Sequence, residues 1–175
     1  LQDLNRAIEL APGKTLPYLF RARFRAHHKK DPQAGIEDCN RALEINPEGS
    51  SSYSTRAFCR SLLRDFKGTI QDCNRAIALD HRNVEAFALR SATRRTTGDI
   101  EGADRDADRA IEIDPRDPGN ALTYTNRGMR RMLKGDRRGA LEDLQRAVRL
   151  MPPKHPQRQR NEILLQQLRR MLGDE

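Results

Sequence analysis

Histidine, carboxylate and thiol side chains are the groups that hold metals and move protons, so their spacing is the first thing to read. The four histidines are His27, His28, His81 and His155. None is paired at the His-x-x-x-His spacing that puts two ligands on one helix face. His27 and His28 could meet Asp31 around a cation, but His-His-Lys-Lys-Asp-Pro at 27–32 reads as a solvated turn. Glu101, Asp104, Asp108 and Glu112 recur at spacings of three and four, which places them on one face of a helix. Such a stripe could hold a cation or a basic partner. Like charges at that spacing cost about 0.2–0.5 kcal/mol per pair, so a basic surface nearby should offset them, with Arg130, Arg131 or Arg137 as candidates. No Gly-rich phosphate loop, Gly-x-Ser-x-Gly or Cys-x-x-Cys is present. The expectation is a non-catalytic chain with no cofactor and no metal.

The three cysteines do not form a disulfide framework. Cys39 and Cys73 share a phase in successive repeats, roughly 10 Å apart by helix packing distances, which is beyond disulfide reach. Cys59 lies on a different helix. All three read as small buried apolar residues, which favours a reducing, cytoplasmic-type compartment.

These residues hang on a repeating frame. Asp-Cys-Asn-Arg-Ala occurs at 38–42 and 72–76, with looser copies at 3–7, 106–110 and 143–147. The alanines fall at Ala7, Ala42, Ala76, Ala110 and Ala147, at intervals of 35, 34, 34 and 37. A proline or its equivalent follows each by five residues, at Pro12, Pro47, His81, Pro115 and Pro152. Upstream is a second helical pattern with Arg21-Ala22, Arg56-Ala57, Arg90-Ser91 and Arg127-Gly128. A fixed period of this size denotes stacked helix–turn–helix units.

At these positions the chain resembles the tetratricopeptide repeat family. Its early aromatic is matched by Tyr18, Tyr53, Phe87 and Tyr124, and its first small residue by Ala22, Ala57, Ser91 and Gly128. The small residue that opens the second helix is matched by Gly35, Thr69, Ala103 and Ala140, and the alanine by Ala42, Ala76, Ala110 and Ala147. The resemblance implies an all-α fold, a right-handed superhelical solenoid of stacked antiparallel helix pairs. The expected division is a half repeat at 1–13, repeats at 14–47, 48–81, 82–115 and 116–152, and a capping helix at 153–175 with Ile163, Leu164, Leu168, Met171 and Leu172 as its apolar face. A three-residue excess at 116–120 precedes the fourth repeat. The chain opens inside a second-helix pattern and reads as a piece of a longer protein.

The resemblance also implies a concave groove lined by the first helices. By phase its residues are Leu19 and Arg23, then Ser54, Phe58 and Leu62, then Glu85, Ala88, Ala92 and Arg95, then Leu122, Thr125, Met129, Met132 and Leu133. A peptide or helix of a partner protein is the expected ligand. Met129, Met132 and Leu133 are either an adaptable apolar patch or packing for the final helix. One subclass of the family clamps the acidic tails of chaperones with basic residues. The corresponding phases here hold Leu19, Arg23, Thr55, Glu85 and Leu89, with one basic residue and a repelling carboxylate, so that ligand is not expected.

Two ion-pair patterns follow from the repeats. Asp and Arg within each Asp-x-x-Arg-Ala are three apart, which suggests a weak local pair. Arg21, Arg56, Arg90 and Arg127 are expected to meet Asp38, Asp72, Asp106 and Asp143, or the aspartates one repeat earlier.

The net charge is +8, and eleven Lys/Arg against three Asp/Glu between Arg127 and Arg160 account for all of it. Arg130, Arg131, Lys134, Arg137 and Arg138 form a candidate basic patch, so nucleic-acid binding through 127–160 is the alternative function. Tyr124 is the one aromatic nearby, which is a poor stacking platform. Self-association through the exposed half repeat is a further reading. No apolar run is long enough to span a membrane.

Overall fold

The computed structural model describes residues 1–173; Asp174 and Glu175, the end of the expected capping segment, lie outside the described residues. Among the described residues there are ten α-helices and no strand. They are α1 (Gln2–Leu10), α2 (Thr15–His28), α3 (Pro32–Ile45), α4 (Ser50–Leu62), α5 (Phe66–Leu79), α6 (Val84–Thr96), α7 (Ile100–Ile113), α8 (Ala121–Leu133), α9 (Arg137–Leu150) and α10 (Pro156–Leu172). A single 3-10 turn, Pro118–Asn120, precedes α8. Helices α2/α3, α4/α5, α6/α7 and α8/α9 form antiparallel pairs, and each pair packs on the next through α3–α4, α5–α6 and α7–α8. Repetition of that step winds a right-handed solenoid, with α10 packed on α9 at its end.

The helix starts are written in the sequence. Asp31, Asp65, Asp99 and Asp136 each cap the second helix of a pair, accepting from the backbone N–H of Ala34, Gly68, Gly102 and Gly139 at 2.9–3.0 Å. The residue before each cap takes a left-handed conformation, with φ of +53° at Lys30, +61° at Arg64, +91° at Gly98 and +82° at Gly135. Glycine adopts that backbone without strain, whereas Lys30 and Arg64 hold it against their Cβ atoms.

Small side chains set the distance between helices. Ala22, Cys39, Ala42, Ala57, Cys73, Ala76, Ala103, Ala110, Ala140 and Ala147 are all fully buried. The signature alanines lie at the centre of successive core clusters, with Tyr18, Phe87 and Tyr124 packed beside them. Each layer is thin, as a solenoid core must be.

The three cysteines are buried and free. Burial pushes the Cys73 thiol up to about 12. A hydrogen bond with Cys59, together with burial, pushes the Cys39 thiol up.

The excess before the fourth repeat is taken up by the 3-10 turn. Asn120 is buried there, and its Nδ2 donates to the carbonyls of Ala110 at 3.0 Å and Asp114 at 2.7 Å, closing the end of α7. The final helix is rotated from the expected face. Asn161, Leu165 and Leu168 are buried, while Ile163 and Met171 are about half exposed. The reason is polar: Asn161 Nδ2 donates to Thr125 Oγ1 at 2.7 Å, so a hydrogen bond anchors a face that apolarity alone places elsewhere.

Candidate peptide-binding groove

Behind the groove stands a lattice of arginines and aspartates. Arg21 pairs with Asp38 at 2.6 Å, Arg56 with Asp72 at 2.7 Å, Arg90 with Asp106 at 2.6 Å and Arg127 with Asp143 at 2.8 Å. In each case Nε and Nη2 both donate, so the fork is bidentate. The aspartates of the same repeat are used, not those one repeat earlier.

A second arginine, one turn further along each first helix, reaches the same carboxylate: Arg25, Arg60, Arg94 and Arg131 at 2.9–3.0 Å. The remaining Nη1 of the first arginine donates backward to Asn5, Asn40, Asn74 or Asp108 on the preceding second helix, at 2.6–3.1 Å. Sequence reading misses both. Their signal is present, in an arginine four residues after each first one and in the asparagine of Asp-x-Asn-Arg-Ala. The local pairing expected within Asp-x-x-Arg-Ala does not form among the described residues; Asp38, Asp72, Asp106 and Asp143 are buried and turned to the first helices, while Asp3 is exposed. The motif arginine turns instead to a glutamate three residues on, as in Arg6–Glu9, Arg41–Glu44 and Arg109–Glu112.

The lattice ties each first helix to its own second helix and to the second helix before it, and the first helices α2, α4, α6 and α8 pack side by side in front of it. A cleft of about 330 Å³ opens there, and six of the expected groove residues line it: Arg23, Phe58, Glu85, Ala88, Ala92 and Leu122. Ser61, Leu89, Ser91, Gly119, Thr123 and Asn126 complete the wall. Phe58 is held by a stacked contact with the His27 ring, 4.9 Å between centroids. Arg23 Nη2 donates to both Glu85 oxygens at 2.5 Å, and Ser54 Oγ donates to Glu85 at 3.2 Å.

The other expected groove residues lie elsewhere. Leu19, Ser54 and Thr125 are buried and present no open surface, because their phase points between helices. Arg95 pairs with Asp104 at 3.2 Å. Met132 packs against Leu144, Leu165 and Leu168 under α10. Met129 and Leu62 are half exposed, and Leu133 is almost fully so.

The basic patch divides in two. Arg130 pairs with Asp104, and Arg131 with Asp143 and Asp136, so both are neutralised within the fold. Lys134, Arg137 and Arg138 stand exposed at the α8–α9 turn, without an ion pair among the described residues. The acidic stripe is offset by Arg130 as expected, but also by Arg95 on Asp104 and by Arg127 on Asp108. His27 and His28 pack against Phe58 and Phe24, and no metal-site grouping occurs among the described residues. No helix among them is long and apolar enough to cross a membrane.

No family model matches the chain. Hsc70-interacting proteins 1 and 2 of Drosophila melanogaster are each 41% identical over 63 residues, which is 36% of this chain and 16% of their own length. Among solved structures, TTC0263, a thermophilic repeat protein of Thermus thermophilus, aligns at a TM-score of 0.67 and 19% identity over 91% of this chain and 84% of its own. The first repeat domain of Spaghetti (RPAP3), bound to the HSP90 peptide SRMEEVD, aligns at 0.57 and 23% identity over 62% and 86%. The phased signature residues, the helix pairs and these structural neighbours agree: the chain has the tetratricopeptide repeat fold.

Proposed function

We propose that the chain is a protein-interaction scaffold whose concave groove binds an extended peptide or short helix of a partner protein. The observation that carries this reading is the cleft between Phe58, Ala88, Ala92 and Leu122, an apolar recess with an ion pair at its edge. It has the size to seat one bulky apolar side chain, with the Arg23–Glu85 pair and Asn126 left to orient the backbone around it. Arg23 is already occupied by Glu85, so an acidic tail meets a carboxylate where it needs a cation. The preferred ligand therefore carries an apolar anchor without a terminal acidic cluster. That distinguishes it from the acidic peptide bound by Spaghetti.

Peptides selected by display against the purified chain test the reading. Ala92→Arg and Leu122→Asp alter exposed positions in the cleft and leave the core intact. A selected peptide is expected to lose about tenfold or more in affinity to each, equivalent to ~1.4 kcal/mol. Equal binding by wild type and both variants overturns the groove assignment. Binding of generic RNA that is strongly salt dependent and lost on reversing Lys134, Arg137 and Arg138 points to the basic end instead.

A further inference from the structure

A second cleft, of about 550 Å³, lies away from the groove, where the end of α7, the side of α8 and the last turns of α9 meet. Its apolar wall is Pro115 and Leu150, backed by the buried Ile111 and Tyr124, and three arginines surround it: Arg116, Arg146 and Arg149. None of these three guanidiniums makes an ion pair or hydrogen bond among the described residues. Arg146 only lies over the Tyr124 ring, 5.8 Å from its centroid.

A like charge sets α9 apart in the repeat pattern, for Arg75 of α5 also lies over a ring, Tyr53, without an ion pair among the described residues, but has Ala78 three residues on. In α1, α3 and α7 the motif arginine is neutralised by a glutamate three residues on, Glu9, Glu44 or Glu112. In α9 that position is Arg149, so a local pair is replaced by a like charge. The inserted segment before α8 adds Arg116 to the same rim. The carboxylates at hand are already engaged: Glu112 with Arg109, and Asp114 and Asp117 with the backbone N–H groups of Arg116 and Gly119.

We infer that this cleft binds a phosphate monoester carried on an aromatic group, with Arg116, Arg146 and Arg149 taking the dianion and the open faces of Pro115 and Leu150 taking the ring. Planar guanidiniums match phosphate oxygens two at a time and also stack on rings. The cleft volume falls in the range of small-ligand sites, roughly 300–1,000 Å³. The same chemistry comes from two sources, a free aryl phosphate or a phosphotyrosine side chain.

Calorimetry on the purified chain at low salt, with phenyl phosphate, inorganic phosphate and a phosphotyrosine peptide as probes, tests this. Arg149→Glu restores the residue present at this phase in three other repeats, so it keeps the fold, which circular dichroism checks. Arg116→Ala is the second variant. Phenyl phosphate is expected to bind saturably, about tenfold more weakly to either variant. A phosphotyrosine peptide that binds more tightly than phenyl phosphate identifies the peptide as the source, and equal binding identifies the free ester. Inorganic phosphate binding as tightly as phenyl phosphate overturns the aromatic assignment. Absence of saturable phenyl phosphate binding, or full binding by Arg149→Glu, overturns the site. So does binding of single-stranded RNA without phenyl phosphate binding, which assigns the arginines to nucleic acid.

Discussion

Arg23 of α2 and Glu85 of α6 are joined across the groove, although 62 residues and a whole repeat separate them. Both partners are about 40% exposed, at 42% and 38%, so the pair contributes no more than about 1 kcal/mol. Its weight is in recognition. Glu85→Gln is expected to change the melting temperature little. It should strengthen binding of an acidic peptide severalfold by freeing Arg23. Unchanged affinity in fluorescence anisotropy would exclude Glu85 as a selectivity element.

The buried aspartates predict a sharp asymmetry between single and multiple substitutions. Asp72 is 4% exposed and holds Arg56 and Arg60, so Asp72→Ala leaves two guanidiniums without their anion. That should cost about 3–5 kcal/mol in urea unfolding. Arg60→Ala, which removes one arm only, should cost less. Asp72→Leu combined with Arg56→Leu and Arg60→Leu should recover much of the loss, because no buried charge is left uncompensated. Equal losses in the single and triple variants would contradict this account.

Gly35 is fixed by a neighbour in the next repeat. A Cβ there would stand 2.8 Å from Cys59 Sγ and 3.0 Å from the Ala22 carbonyl oxygen. Gly35→Ala should therefore destabilise by about 1–3 kcal/mol through overpacking. Adding Cys59→Ala removes the sulfur and should restore part of that loss, a coupling that a double-mutant cycle measures directly.

Turn strain gives a prediction of opposite sign. Lys30 has φ of +53° where Gly98 and Gly135 occupy the same turn position in other repeats. Lys30→Gly relieves a strain of about 1 kcal/mol, reduced by the greater freedom of glycine in the unfolded chain. A net gain of a few tenths of a kcal/mol in chemical unfolding is expected. A net loss would show that Lys30 makes compensating contacts.

The Cys73 thiol sets a pH dependence. Burial raises its folded-state value from 9.0 to about 12. A raised value means the folded state holds its proton longer than the unfolded state does. The associated stability is full below pH ~9 and is lost as pH climbs toward 12. Between pH 8 and pH 10, in the presence of reductant, wild type should lose about 1 kcal/mol more than Cys73→Ala. Parallel losses in the two proteins would remove the thiol as the cause.

The repeat frame is legible in the sequence because it is a matter of period. The signature alanines and the Arg21–Asp38 type of pairing both follow from recurrence at fixed phase. What stays hidden depends on neighbours that phase does not specify. Leu19, Ser54 and Thr125 are placed in the groove by the family resemblance, yet here they are buried between helices. Arg130 and Arg131 read as a basic surface, but Asp104 and Asp143 neutralise them from elements distant in sequence. Asn161 escapes sequence reading because a polar residue on a capping helix reads as exposed, whereas its bond to Thr125 buries it. The cleft residues Phe58, Glu85 and Leu122 are reached by phase, while the cleft itself depends on how adjacent first helices splay.

The arginines Arg21, Arg56, Arg90 and Arg127 each touch three helices, two in their own repeat and one in the repeat before. A single repeat cut from the array keeps two of those arms and leaves the third dangling. Part of the binding energy thus resides in the junctions between units, and in a linear array the share held there sets how many units melt together. The chain should consequently unfold over a correlation length of several repeats, not fray one pair at a time. A strain imposed at one end, by a docked partner or a pulling force, is then shared along the rod instead of being absorbed at the nearest turn.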